Sequence, residues 1–376
     1  MILVATPVIA AEASCFVFTK LRPDLFDQRQ VILANLQPER FQRFKKTSAS
    51  NILGWDNPAA AVQRWRSCAG ETVTYTYGEH RERLHGRGDS PDAVILVAGD
   101  SFTHGDDASD DETYPAALER MVGVPVANLG VPGYGPLQAL LKLEGSIDRF
   151  PRARVAILSI MHDDGRRMLN SFHPILFSRS RNFFGLKPYL RAGEVHGLVG
   201  GDPFVDLAAM RKAAELAFDS DYWRRPRSKF PYLWSVAEMM TLPSFWLPRL
   251  AELSGRSQYD FFYSMPSVQT NLRALYERFA NWTRARDLRG MVVFIPGYPV
   301  DRTSGPIAIS AATDAQRATL TFISIEFSDP TRYRYPPGCH PLPEGYRMIA
   351  EGVSTGLRPV LAERASPERP RTSHPP

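Results

Sequence analysis

Short, mostly apolar runs without alternation mark the strands of this chain. Ala93 to Ala98 reads Ala-Val-Ile-Leu-Val-Ala, and Val124 to Asn128, Arg154 to Ile160 and Met291 to Pro296 are of the same kind. Strands covered on both faces read this way, as in a parallel sheet. Residues from about Thr113 to Val122, Leu137 to Ile147, Val268 to Arg286 and Pro343 to Leu357 repeat instead at helical spacing. Three strand–helix alternations in fewer than 80 residues predict an α/β core, a parallel sheet with helices on both faces.

The flanks of this core differ in pattern. Arg22 to about Gly88 is a polar leader that contains one alternating stretch, Thr72-Val73-Thr74-Tyr75-Thr76-Tyr77. Period-2 alternation of β-branched and aromatic residues predicts a strand or hairpin arm. From about Gly165 to Gln258 the chain is rich in Pro, Arg and aromatics and shows no strand repeat. It reads as an insertion over the top of the sheet. The expected division is a leader and hairpin arm over 1–88, a core domain over 89–360 with an insertion over 165–258, and a disordered Pro-, Ser- and Arg-rich tail over 361–376.

Composition narrows the class. A chain of 376 residues with 44% apolar and 23% charged residues fits a globular domain with appendages. The net charge of +5 describes a slightly basic soluble surface. A nucleic-acid partner calls for a basic stripe interleaved with exposed aromatics. The nearest candidate, Trp223 to Phe230, is one short run beside a proline and reads as a solvated loop, so no nucleic-acid partner is expected. Cys15, Cys68 and Cys339 match no zinc spacing and set no disulfide framework, although an oxidising compartment leaves room for one pair and one free thiol.

The N-terminus leaves two readings open. Met1 to Ala11 is apolar apart from Thr6 and Pro7, and Ala11-Glu12-Ala13 has the small-x-small form of a cleavage site. One reading is the stump of a signal or anchor segment, which implies export or membrane anchoring. The other is a buried N-terminal strand or helix in a cytoplasmic protein. Any membrane contact is expected through this N-terminus alone.

Ligands of parallel α/β sheets sit at the carboxyl ends of the strands. Three loops leave such ends, Gly99 to Gly105, Gly130 to Gly135 and Met161 to Asp164, and a fourth segment around His340 precedes the last helix. Ser101 follows the first strand directly, Gly99 permits a tight turn there, and Asp100 is placed to bond the turn backbone. A serine becomes a nucleophile only with a general base, and His340 is the best-placed imidazole. The N–H groups of Ser101 and Gly133 are candidate oxyanion donors. The acidic run Asp106, Asp107, Asp110, Asp111 and Glu112 is expected to cap a helix start rather than bind calcium, whose loop spacing it lacks. No cofactor and no metal site are expected.

These segments resemble a family. Ala98-Gly99-Asp100-Ser101-Phe102-Thr103-His104-Gly105 is similar to the first block of SGNH (GDSL-type) hydrolases. Asn128 to Gly135 resembles the second block, in which Gly133 matches the oxyanion glycine, and Cys339 to Glu351 resembles the last block, which carries the catalytic histidine. The resemblance implies a three-layer α/β/α sandwich of the flavodoxin-like kind with a central parallel sheet. It also implies serine ester hydrolysis, with lipases, carbohydrate acetylesterases and polysaccharide O-acetyltransferases within its range. The expected partner is a small-molecule or glycan acyl ester.

Two positions depart from the family. Asp163 stands where the family has an oxyanion-donating asparagine, and an ionised carboxylate donates nothing. His162 is then an alternative donor. Pro337 stands where the family has the aspartate that orients the histidine, and the nearest upstream acids are Asp329 and Glu326. These departures also favour a second reading, a catalytically degenerate fold that binds a glycan or partner. The aromatics Trp223, Tyr232, Trp234, Phe245 and Trp246 of the insertion are candidates for a lid or sugar platform, and for ordinary packing.

Overall fold

The computed structural model describes residues 2–85, 91–177, 184–298, 300, 302–336 and 338–365. Of the tail expected to be disordered, 361–365 instead continue the last helix, and 366 onward lies outside the described residues. Five parallel strands form the central sheet: β3 (Ile95–Ala98), β4 (Val126–Asn128), β5 (Val155–Met161), β6 (Arg289–Ile295) and β7 (Leu320–Ser324). They lie in the order β7-β6-β5-β3-β4. A separate antiparallel hairpin, β1 (Ala61–Arg66) with β2 (Thr72–Tyr77), is the expected arm.

Successive residues of each central strand enter opposite cores, which makes the three layers. Ile95, Val97, Val155, Ile157, Met291 and Val293 pack with α3 (Tyr114–Val122) and α9 (Pro343–Ala365). Leu96, Ala98, Ala156, Leu158, Val292 and Phe294 pack with α4 (Pro136–Ser146) and α8 (Pro266–Ala285). Burying one such side chain stabilises by roughly 1.5–3 kcal/mol. This double burial is why the strands lack alternation. The fold is the α/β/α sandwich that the strand–helix pattern predicts.

β7 is the strand that the sequence pattern does not announce. It lies at the sheet edge, and only Leu320 of its five residues is buried. A half-covered edge strand needs no apolar run. The insertion carries a short hairpin, Tyr189–Arg191 with Glu194–His196, then α5 (Leu207–Ser220), α6 (Tyr232–Thr241) and α7 (Pro243–Leu253).

The leader is built into the core. The Arg83 guanidinium is buried and donates to the carbonyls of His104 (2.6 Å), Gly105 (2.6 Å) and Ala108 (2.6 Å). Asp56 pairs with Lys142 of α4 at 2.5 Å, with both groups buried. The N-terminal segment is helix α1 (Ile2–Leu21), which rests on α6 through Phe16 and Tyr232. It is not the buried element of the second reading, since Val8, Ile9, Val17 and Leu21 are exposed. Among the described residues no helix is long and apolar enough to cross a membrane.

Candidate functional site

The carboxyl end of β3 sets the position of Ser101. Gly99 lies so close to Thr103 that a Cβ there would meet Thr103 Oγ1 at 2.2 Å. Asp100 caps the four-residue helix α2 (Ser101–His104) by accepting from the Phe102 N–H at 2.9 Å. Gly105, at φ 87°, then turns the chain back, and the Ser101 carbonyl accepts from the N–H groups of Gly105 and Asp106. The turn thus brings Asp106 and Asp107 back beside the serine. Among the described residues no hydrogen bond engages the Ser101 N–H, the Ser101 hydroxyl or the Gly133 N–H.

His340 meets two carboxylates. Asp107 Oδ2 accepts from the His340 backbone N–H at 3.2 Å and lies 3.4 Å from Nδ1. Asp106 Oδ2 is 3.9 Å from His340 Nε2. Burial alone would push this imidazole down, but Asp106 and Asp107 outweigh it and raise its pKa above the ordinary histidine range. Asp107 is fixed in turn. Its other oxygen accepts from the Cys68 N–H at 3.0 Å, and its own N–H donates to Tyr75 Oη at 2.9 Å. Its φ of 65° lies in the left-handed region, which aspartate tolerates better than most residues. The disulfide Cys68–Cys339 ties the hairpin arm to the residue next to His340, and Cys15 remains a free thiol.

This arrangement corrects two expectations. Asp106 and Asp107 do not cap a helix; they face histidines, since Asp106 also holds His104 Nδ1 at 2.5 Å. Glu112 alone of the run completes a capping box, with Ser109, while Asp110 accepts from Thr76 N–H and Arg83. His340 also has acid partners, though none precedes it closely in sequence. Pro337, at the family's aspartate position, lies outside the described residues. Among the described residues, the one group with metal-ligand spacing is Cys68, Asp107 and Cys339, whose sulfurs are bonded to each other.

The second loop presents Gly133 at φ 79°. The Trp55 indole N–H donates to the Pro132 carbonyl at 3.0 Å, and Tyr134 Oη donates to the Trp55 carbonyl at 2.6 Å. The leader therefore holds the loop in place. His173 Nε2 would lie 3.1 Å from a Cβ at Gly133. Burial, reinforced by Arg167, pushes that imidazole well below the ordinary range and keeps it neutral.

Asp163 sits in a charged cluster behind this loop. It accepts from Arg166 Nε and from Arg167 Nε, the latter at 3.2 Å. Burial opposes its ionisation, but the two guanidiniums prevail and hold its pKa below the usual carboxylate range. An ionised Asp163 cannot donate to an oxyanion. Arg167 also bonds Asp100 at 3.0 Å and lies 3.6 Å from Asp164. Burial and the neighbouring Asp100 push the Asp164 carboxyl well up, which relieves the crowding of acids. His162 packs edge-on against Tyr259, with ring centroids 4.4 Å apart.

Ser101, Gly133, His162, Asp163, Arg166, His173 and His340 all line one cavity of about 1170 Å³. Asp100 stands behind Ser101 as a buried cap. The aromatic wall comes from Trp65, Tyr75 and Tyr77 of the hairpin arm and from Phe177, Tyr259, Tyr298 and Tyr335. It does not come from Trp223, Tyr232, Trp234, Phe245 or Trp246. Trp223 is buried, with its indole N–H on the Arg166 carbonyl at 2.8 Å. Asp107 reads from sequence as a helix cap, and Arg166 and His173 do not stand out there. The signals that point to the site are the acids five and six residues after Ser101, since a helix of one turn ending in glycine returns the chain to its start, and Arg166 at i+3 from Asp163.

The fold and the cavity define an α/β/α sandwich protein with a serine, a histidine and a carboxylate gathered at the strand ends. No protein-family model matches the chain, and no curated protein matches it. Solved structures overlay on it loosely. A lipolytic protein of the G-D-S-L family from Desulfitobacterium hafniense is 12% identical, covers 70% of this chain and 99% of its own, and has a TM-score of 0.30. TesA is 13% identical over 71% of this chain and 98% of its own, with a TM-score of 0.34. A GDSL-like lipase from Bacteroides thetaiotaomicron is 10% identical over 71% of this chain and 88% of its own, with a TM-score of 0.30. Overlays this loose decide nothing about activity.

Proposed function

We propose that the protein is a serine ester hydrolase in which Ser101 is the nucleophile, His340 the general base and Asp107 the group that orients it. The observation that carries this reading is Asp107 Oδ2 against both the backbone N–H and Nδ1 of His340. A proton held on Nδ1 leaves Nε2 to accept one. Ser101 Oγ attacks the acyl carbonyl carbon while its proton passes to Nε2, and the carbonyl electrons move onto oxygen. The N–H groups of Ser101 and Gly133 receive that charge. Arg166 supplies the third donor that Asp163 withholds, because Asp163 positions its guanidinium on the cavity wall. Collapse expels the alkoxide, which takes the proton from His340. Water, deprotonated in its turn by His340, adds to the acyl carbon; collapse breaks the bond to Ser101 Oγ, which recovers the proton from His340, and the acid leaves.

Ser101 and His340 share the cavity, but no hydrogen bond joins them. Catalytic contacts of this kind often tighten only around substrate. The aromatic wall suits the apolar faces of a sugar, so the reading takes the acyl ester to be one of a carbohydrate alcohol. Transfer of the acyl group to another sugar hydroxyl is the same chemistry with an alcohol in place of water. The Cys68–Cys339 disulfide supports residence in an oxidising compartment. A second reading, glycan binding without turnover, draws on the missing Ser101–His340 bond. A fluorophosphonate probe separates the two. Peptide mass spectrometry is expected to find the adduct on Ser101, and none in Ser101→Ala. Folded protein that takes no adduct at Ser101, yet binds an acylated glycan, would establish the second reading.

A further inference from the structure

We propose that α1, α6 and α7 form a face that rests on an anionic lipid membrane. Of the twenty large apolar side chains exposed among the described residues, twelve fall in α1 or between Phe230 and Leu253. Soluble surfaces scatter such residues singly, and a gathered patch marks an interaction site. Val8, Ile9 and Phe16 of α1 line one groove together with Phe230, Leu233 and Trp234. Phe230 is 71% exposed and Trp234 70%. On α7, Trp246, Leu250 and Leu253 recur at helical spacing and form one exposed stripe. None of these residues lines the cavity that holds Ser101.

Charge selects the occupant. Residues 2–25 and 224–256 contain eight basic and four acidic side chains, nearly all of the net +5 of the whole chain. Glu12 is turned inward, where it caps α6 by accepting from the Tyr232 and Leu233 N–H groups. Lys20 sits over the Phe16 ring at 5.4 Å and Lys229 is exposed beside Phe230, while the exposed Arg227 lies 3.8 Å from Glu215 and 3.7 Å from Asp219. Tryptophan and phenylalanine flanked by Lys and Arg are the chemistry of a headgroup boundary. A second copy of this face would bring like charge against like charge. Anionic phospholipid headgroups complement it, because basic residues near such a surface are drawn to its negative potential.

The test is sedimentation of the full chain with vesicles, once with phosphatidylcholine alone and once with phosphatidylglycerol added. Binding is expected only or mainly to the anionic vesicles, and to weaken as salt is raised. The double variant Phe230→Ser/Trp234→Ser should lose at least about tenfold in vesicle affinity, because two exposed rings no longer enter the interface. Lys20→Glu/Lys229→Glu should lose affinity for anionic vesicles specifically. Melting curves matching the parent show that the variants are folded. Folded parent protein that ignores anionic vesicles would overturn the proposal. So would a double variant that binds as the parent does. A concentration-dependent dimer that the double variant abolishes, without vesicle binding, would assign the face to a second copy instead.

Discussion

The cavity wall and the α1–α6–α7 face invert each other. Around the cavity, ionisable groups are buried or half-buried and held by partners of opposite charge: His340 by Asp106 and Asp107, Asp163 by Arg166 and Arg167, and Asp100 by Arg167. On the other face, apolar groups such as Phe230, Trp234 and Leu253 stand in water. Neither state favours folding. A buried charge costs several kcal/mol unless it is paired, and an exposed ring forgoes its burial. Departures of this kind concentrate where a surface acts on something outside the chain. The comparison assigns chemistry to the first region and contact to the second, and changes in one should leave the other intact.

The largest effect falls on the nucleophile. Ser101→Ala should lower esterase kcat by about 10⁵-fold or more, the scale on which a nucleophile's removal acts, while vesicle binding is unchanged. Next, Asp107→Asn should lower kcat by about 10⁴-fold, since the amide no longer fixes the His340 tautomer. Steady-state kinetics on a p-nitrophenyl ester with a melting curve for each variant measures both.

A smaller loss tests the third donor. Arg166→Met should reduce kcat by about 10²–10³-fold with little change in KM. Asp163→Asn should also reduce it rather than help, because Arg166 and Arg167 lose the carboxylate that places them. An increase in kcat for Asp163→Asn would show that the amide itself serves as the donor and that Arg166 does not.

Opening the disulfide sharpens the boundary between the regions. The Cys68→Ser/Cys339→Ser pair should lower stability by about 2–4 kcal/mol. It should also depress activity, since Cys68 N–H helps hold Asp107. Urea denaturation and kinetics, each compared with vesicle affinity, check that the loss stays on the cavity side.

The smallest effect is a shift along the pH axis. His340 must be neutral to accept the Ser101 proton, and Asp106 and Asp107 raise its pKa. Activity should therefore rise with pH through a midpoint above the ordinary histidine value. Asp106→Asn removes one of the two charges that favour the protonated ring, so the midpoint should move to lower pH. A kcat/KM profile for both proteins reads the shift, and a move to higher pH would contradict the placement of Asp106 beside Nε2.

The legible part of the molecule is the part written locally. β3, β5 and β6 are buried on both faces, so their apolar runs stand out. β7 is only partly covered at the sheet edge, and Thr321 and Ser324 interrupt its apolar residues. Ser101, Gly133 and His340 are legible as candidates because each follows a strand or precedes a helix at the same end of the sheet. Asp107 is not, because its contact with His340 joins residues 233 apart through a left-handed turn and a disulfide. Asp163 reads from sequence as a lost donor, and only the fold reveals the guanidinium beside it. Trp223, Tyr232, Trp234, Phe245 and Trp246 of the insertion read as candidates for a lid or platform and for ordinary packing, whereas Trp223 is buried, Trp234 and Trp246 face solvent, and the cavity's rings come from the hairpin arm and from Phe177, Tyr259, Tyr298 and Tyr335.

The most direct test of the central claim is the rate at which a fluorophosphonate modifies Ser101, followed by intact-protein mass spectrometry in the parent chain and in Asp107→Asn. The account predicts a single adduct on Ser101 in the parent, formed orders of magnitude more slowly in Asp107→Asn although that variant melts normally. Equal rates in the two proteins, or an adduct on another serine, would contradict it.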